Sequence, residues 1–199
     1  MDIDPAGLTP KDSYGLLIRC LIPRPIGWVS TVDDDGLPNL APFSFFGGVS
    51  TDPMTVMLSV GRRRGNHKDT SANLLANGEG VIHIPTRAVE GAMVASAADA
   101  EAHVDEFELA KLTAVPSVKV KPPRAKEAAI AMEAVVRQHM EVGNAPVDMF
   151  LLEIVHLHVT DECLTDGKPD PSKLAAVGRL GGFDYCDTSV PFGIPWPGA

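Results

Sequence analysis

The stretch PNLAPFSFFGGVSTDP, residues 38–53, narrows the choice of fold more than any other part of the chain. It carries Phe43, Phe45 and Phe46, as a core strand would, yet Pro38, Asn39, Pro42 and several hydroxyls interrupt it. Proline has no N–H to give to a ladder, so the segment belongs at a sheet edge or is irregular. Just before it, IGWVSTV (26–32) is rich in β-branched and aromatic residues and reads as a strand. The run DDDG (33–36) is a turn signal, so the two segments form a hairpin.

The same pattern continues along the chain. TVMLSV (55–60) and GVIHI (80–84) read as strands, and DTSANLLANG between them as a short helix, with Asp69 as N-cap and Gly78 just past the end. The alanine-rich segment 88–112 fits one or two helices, around VEGAMVASAA and VDEFELAKL. AAIAMEAVVRQHMEV and VDMFLLEIVHLHVTDECL are long extended arms with a turn at GNAP between them. DPSKLAAV is a further short helix with Pro171 at its first position, and the tail TSVPFGIPWPGA is Pro-rich and irregular. Roughly six strands, mostly joined by hairpins, predict a mainly β protein, an antiparallel barrel or sandwich with a few short helices. There is no βαβ alternation and no GxGxxG or GxxxxGK[ST] fingerprint, which argues against a doubly wound fold. At 199 residues the chain is read as one domain, 1–199.

Charge excludes one broad class of partner. With 17 basic and 26 acidic residues the formal charge is −9, unfavourable for general nucleic-acid binding. No apolar run is long enough to span a membrane, and the N-terminus MDIDPAGLTPKD has no signal-peptide character. Cys20, Cys163 and Cys186 are widely spaced and suggest neither a disulfide framework nor a zinc site; Cys20 and Cys186 read as inert. A reducing cytoplasm is the expected location.

Positive charge is nonetheless concentrated in GRRRGNHKDT, which holds Arg62, Arg63, Arg64 and Lys68 ahead of the predicted helix. A helix N-terminus presents free N–H groups and partial positive charge to a phosphate. Thr70, Ser71 and Asn73 can add hydrogen bonds, although a solvated basic loop before a normally capped helix is an equal alternative. Ser30, Thr31, Asn39 and Ser44 are polar groups set in apolar strands, and such groups need partners when buried. They bond either to nearby backbone or to a flat polar heterocycle whose faces lie on Pro42 and Phe43. His156 and His158 share a strand face, with His83 and His139 elsewhere; two strand histidines read as a polar patch rather than a metal centre. No Ser–His–Asp or Cys–His arrangement stands out.

Taken together, PRPIGWVSTVDDDGLPNLAPFSFFGGVSTDPMTVMLSV, KDTSANLLANG, the EF pair Glu106–Phe107 and LLEIVHLHVTDECLTDGKPDPSKLAAVGRLGGFDY resemble the flavin reductase-like family of FMN-binding split barrels. That family includes flavoredoxin-type proteins and reductase components of two-component monooxygenases. The resemblance implies a six-stranded antiparallel Greek-key split barrel that forms a homodimer with FMN, or alternatively FAD, near the subunit interface. It implies Ser30, Thr31, Asn39, Ala41, Pro42, Phe43 and Ser44 near the flavin ring or ribityl chain. It implies Ser59, Arg62, Lys68, Asp69 and Thr70 around the phosphate, with Asp69 more as helix cap than contact, and Arg179 and Tyr185 at the flavin edge. RRRGNH is more basic than the family's usual segment there. The implied activity is hydride transfer from NAD(P)H to flavin. Electrons then pass to an acceptor: a monooxygenase component, oxygen or a ferric chelate. Two other readings are an FMN electron carrier without a pyridine-nucleotide site and a barrel that has lost flavin. Composition suggests that Phe192 and Trp196 of the tail reach across to the partner subunit.

Overall fold

The computed structural model describes residues 1–98, 104–195 and 197; Trp196 lies outside the described residues. Seven strands form one antiparallel sheet: β1 (Gly27–Val32), β2 (Pro38–Phe43), β3 (Phe46–Thr51), β4 (Met54–Gly61), β5 (Glu79–Ile84), β6 (Ile130–Val142) and β7 (Val147–Val159). Their order across the sheet is β2-β1-β5-β6-β7-β4-β3. β2 and β3 are therefore at opposite edges, yet only Ser44 and Phe45 separate them in the chain. Three peptide steps span about 11 Å at most. The two edges must lie side by side, and the sheet curls into a split barrel. Beside the seam the Ser59 amide of β4 donates to the Phe45 carbonyl at 2.8 Å, extending the β3–β4 ladder by one step.

This closure corrects the expected count of six strands. Residues 38–46 are not one extended segment but two strands, broken at Ser44–Phe45 so that each supplies one lip of the seam. The prolines fall where a ladder tolerates them, since β2, which holds Pro38 and Pro42, is an edge strand. The turn before it is closed by Asp33, whose Oδ1 accepts from the Asp35 and Leu37 amides at 3.0 and 2.8 Å.

Successive residues of a strand point to opposite faces, and β1 is buried on both. Val29 faces the barrel interior with Phe43, Phe46, Leu58, Ile82, Phe150 and Leu152. Trp28 faces outward into a second core with Leu40, Met93, Phe107 and Val177. Five α-helices are described: α1 (Pro10–Cys20), α2 (Asp69–Asn77), α3 (Glu90–Ala95), α4 (Glu106–Leu109) and α5 (Pro171–Leu174). α3 and α4 cover the outer face of β1 and β2, and Leu74 of α2 plugs one end of the barrel. Trp28 Nε1 donates to Ser96 Oγ at 2.8 Å just beyond α3.

A smaller three-stranded sheet joins the two ends of the chain. It consists of β8 (Val177–Gly181), β9 (Asp184–Asp187) and the two-residue strand Arg24–Pro25. Against it lies α1, whose start signature is present in the sequence. Thr9 caps the helix by accepting from the Asp12 amide at 3.2 Å, and Pro10 occupies the first turn.

Candidate functional site

A polar cleft of about 490 Å³ opens between β2, the start of α2, the loop 62–68, the end of α3 and α4. An adjoining, more apolar lobe of about 330 Å³ runs toward β8 and β9. Pro42 and Phe43 line both, as do Ala97 and Ala98. Segment 38–53 thus supplies, through Pro42 and Phe43, the shared wall of a two-lobed groove.

At the polar end, Lys68 is the N-cap of α2 and contributes no side-chain cap. The expected N-cap, Asp69, is instead the first helical residue. The first-turn N–H groups are thus left without a capping side chain, and Lys68 Nζ lies 5.8 Å from the centre of the Phe43 ring, within cation–π range. The loop before it is a tight hairpin in which Arg63 and Asn66 exchange backbone hydrogen bonds, both at 2.9 Å. Arg64 at φ 51° and Gly65 at φ 84° turn its tip, and Arg63 and Arg64 line the cleft. Free helix N–H groups beside lysine and arginine suit a phosphate.

Asn39 joins three elements. Its Oδ1 accepts from Thr70 Oγ1 at 2.8 Å, and its Nδ2 donates to Glu106 Oε2 at 3.2 Å. The same carboxylate oxygen accepts from the buried Leu40 amide at 3.0 Å. Burial raises the Glu106 pKa above the usual carboxylate range despite the hydrogen bonds from Leu40 and Asn39. Glu106→Leu will cost about 1–3 kcal/mol in urea unfolding, since it strands the Leu40 N–H without an acceptor. Glu106→Gln keeps an acceptor and will cost less than half as much.

The predicted residues divide by position. Asn39, Ala41, Pro42, Phe43, Lys68, Asp69 and Thr70 line the polar lobe. Ser44, Arg179 and Tyr185 line the second, with Pro42 and Phe43 common to both. Ser30, Thr31, Ser59 and Arg62 lie outside both lobes. Ser30 is fully buried and donates to the Pro123 carbonyl, while Thr31, also buried, accepts from Asn73 Nδ2 at 3.0 Å. Arg62 turns to Asp148, at 3.0 Å, and to Glu141.

Asp148 carries no mark in the sequence because two of its partners, Arg62 and His67, are 86 and 81 positions away. Fully buried on β7, it meets Arg62, His67 Nδ1 at 2.8 Å and His139 Nε2 at 3.2 Å. Burial works to raise its pKa, but hydrogen bonds from Arg62, His67 and His139 outweigh it and hold the pKa at about 2. His67 lines the polar lobe, so this carboxylate anchors both ends of the loop 62–67 beneath the cleft. His83, fully buried, contacts the Trp28 carbonyl through Nδ1 and accepts from the Ala125 amide through Nε2; burial lowers its pKa to about 4. His158 pairs with Glu133, and its ring lies 4.6 Å from that of His156. Among the described residues no cluster of three His, Cys, Asp or Glu side chains is arranged to hold a metal.

The fold agrees with that of known proteins. The flavin reductase like domain matches residues 18–169, and the chain belongs to that family. Nitrilotriacetate monooxygenase component B from Bacillus cereus is 34% identical, with 98% of each chain covered and a TM-score of 0.93. The 2-nitrobenzoate 2-nitroreductase of Pseudomonas fluorescens is 27% identical over 100% of this chain and 97% of its own, with a TM-score of 0.90. Flavoredoxin of Desulfovibrio vulgaris, at 23% identity and TM-score 0.77 over 100% of this chain and 98% of its own, shares the fold. A protein of Halalkalibacterium halodurans is 35% identical over 99% of this chain and 97% of its own length.

Proposed function

We propose that the groove binds FMN and that the protein is an NAD(P)H:flavin oxidoreductase passing electrons to an acceptor, such as a monooxygenase component. The observation that carries this is the polarity of the groove: an uncapped helix N-terminus with Lys68 at one end, an aromatic wall at Pro42 and Phe43, and an apolar lobe beyond. Flavin supplies the hydride-accepting chemistry when bound. The chain supplies binding and orientation. Lys68, Thr70 and the first-turn amides of α2 hold the phosphate. Asn39, Ala41, Pro42, Phe43 and Ser44 meet the ring and ribityl chain, and Arg179 and Tyr185 border the ring edge. Thr31 and Arg62 position these groups from behind, Thr31 through Asn39 and Arg62 through Asp148 and His67, while Ser30 and Ser59 stand in the strands behind the groove.

A homodimer belongs to the same reading. α1 has no buried residue, and Tyr14, Leu17 and Leu21 on and just after it are exposed, as are Val190, Phe192 and Ile194 of the tail. An unpartnered apolar surface of this kind suits a second copy of the chain. Three free cysteines fit a reducing cytoplasm.

The test is an anaerobic absorption spectrum of the protein with FMN, before and after NADH and then NADPH. Bleaching of the flavin band faster than for free FMN is the expected result and names the donor. Flavin that binds but stays oxidised with both donors would make the protein a carrier. Failure to bind FMN would remove the reading altogether.

A further inference from the structure

The described lining of the second lobe carries positive charge without a counter-charge. Ile26, Phe43, Met93 and Tyr185 give it apolar walls, and Arg179 is its cation. Among its described lining residues there is no Asp or Glu. Arg179 stacks on Tyr185, its guanidinium carbon 4.5 Å from the ring centre, and donates to the Tyr185 hydroxyl and the Gly182 carbonyl. Directly opposite it in the small sheet stands Arg24.

Arg24 is only 6% exposed, and among the described residues every acceptor it meets is neutral. They are Ser44 Oγ at 3.2 Å and the carbonyls of Ile18, Leu21 (2.7 Å) and Leu180 (3.3 Å). Burying a charge without a paired opposite charge is costly. The carbonyls around the end of α1 offset part of that cost, as a helix C-terminus favours a cation. Among the described residues no carboxylate neutralises the rest. Because Arg24 Nε donates to Ser44 Oγ, the Ser44 hydroxyl keeps its proton for another acceptor, and Ser44 lines the lobe.

An aromatic-walled lobe of about 330 Å³ with one lining cation, Arg179, and the hydroxyl donor of Ser44 calls for one kind of ligand. We propose that the second lobe binds a planar aromatic carboxylate. Its ring packs against Phe43, Met93 and Tyr185. Its charge is met by Arg179, whose planar donors match a carboxylate, with Ser44 alongside. The assignment deepens the flavin reading and rests on it for its place in the function, since Ser44, Arg179 and Tyr185, which border the flavin in that reading, also line this lobe and put the ligand against the exposed part of the ring. The binding itself can be measured without flavin.

The experiment is calorimetric titration of the full-length chain with benzoate and with benzamide, its neutral counterpart, in flavin-free and FMN-saturated protein. Saturable benzoate binding is expected, with benzamide about tenfold weaker or worse for want of the charge. Arg179→Gln should weaken benzoate by about tenfold or more, and Arg179→Lys should restore part of that loss. Equal affinity for benzoate and benzamide, or no saturable benzoate binding, overturns the proposal on the unaltered chain, where folding of a variant is not at issue. Unchanged benzoate affinity in folded Arg179→Gln overturns it as well. If FMN fails to bind while benzoate binds the flavin-free protein, the flavin reading falls and the carboxylate site stands.

Discussion

Asp148→Asn will lower the unfolding free energy by about 3–5 kcal/mol, the usual consequence of removing one partner from a buried ionic cluster. Asp148 is fully buried and is the shared acceptor for Arg62, His67 and His139. Without its charge, Arg62 keeps, among the described residues, only Glu141, whose side chain is 54% exposed. The effect also has a defined pH dependence. The pKa is about 2 in the folded chain against an ordinary 3.8, so the ionised form favours folding. That stability is complete above the unfolded value and is lost as pH falls from about 4 toward 2. Urea unfolding of the parent and Asp148→Asn across an acid series will show the two curves converging in that window. A difference below about 1 kcal/mol at pH 7 would mean that the cluster contributes little beyond what surface pairs do.

Lys68→Ala will raise the FMN dissociation constant by about tenfold to a hundredfold, the range for losing a charged hydrogen bond of about 1.5–3 kcal/mol. Riboflavin, which lacks the phosphate, separates this role from a general one. Its affinity should be the same for the parent and for Lys68→Ala, because Lys68 is assigned to the phosphate alone. An equal loss for both ligands would move Lys68 from the phosphate to the ring, consistent with its approach to Phe43. Arg62→Ala is the informative contrast. Its guanidinium faces Asp148 and Glu141, so stability should fall while the direct phosphate contact remains.

Much of this architecture is legible locally. The β1–β2 hairpin follows from β-branched residues flanking DDDG, and the long β6–β7 pair from two extended arms around GNAP. The end of α2 follows from Gly78, whose φ of 69° is the left-handed conformation glycine adopts without steric cost. What was not legible depends on residues far apart in the chain. Nothing near Asp148 in VDMFLLE marks it as an ionic hub, since His67 and Arg62 are 81 and 86 positions away. For the same reason three cations that look alike in RRRG have different roles: Arg62 turns to the barrel wall while Arg63 and Arg64 line the cleft. The seam was missed for another reason. A break of two residues inside an aromatic run carries no turn signal, and only sheet order shows that the chain changes edges there. The start of α1, by contrast, was readable in TPKD, where a Thr cap, Pro in the first turn and an acidic third position follow one another.

The bonds of Arg24 also bear on the order in which the molecule can assemble. One guanidinium gathers the end of α1, the seam residue Ser44 and the Leu180 carbonyl, the last of these 156 positions away. During synthesis the first helix is made early, but its lock cannot close until the chain is nearly complete. Domains form as units, and contacts of long sequence separation form late. The barrel can therefore close first, leaving α1 to dock only when the terminal hairpin arrives. Both ends of the chain then become fixed in a single final step.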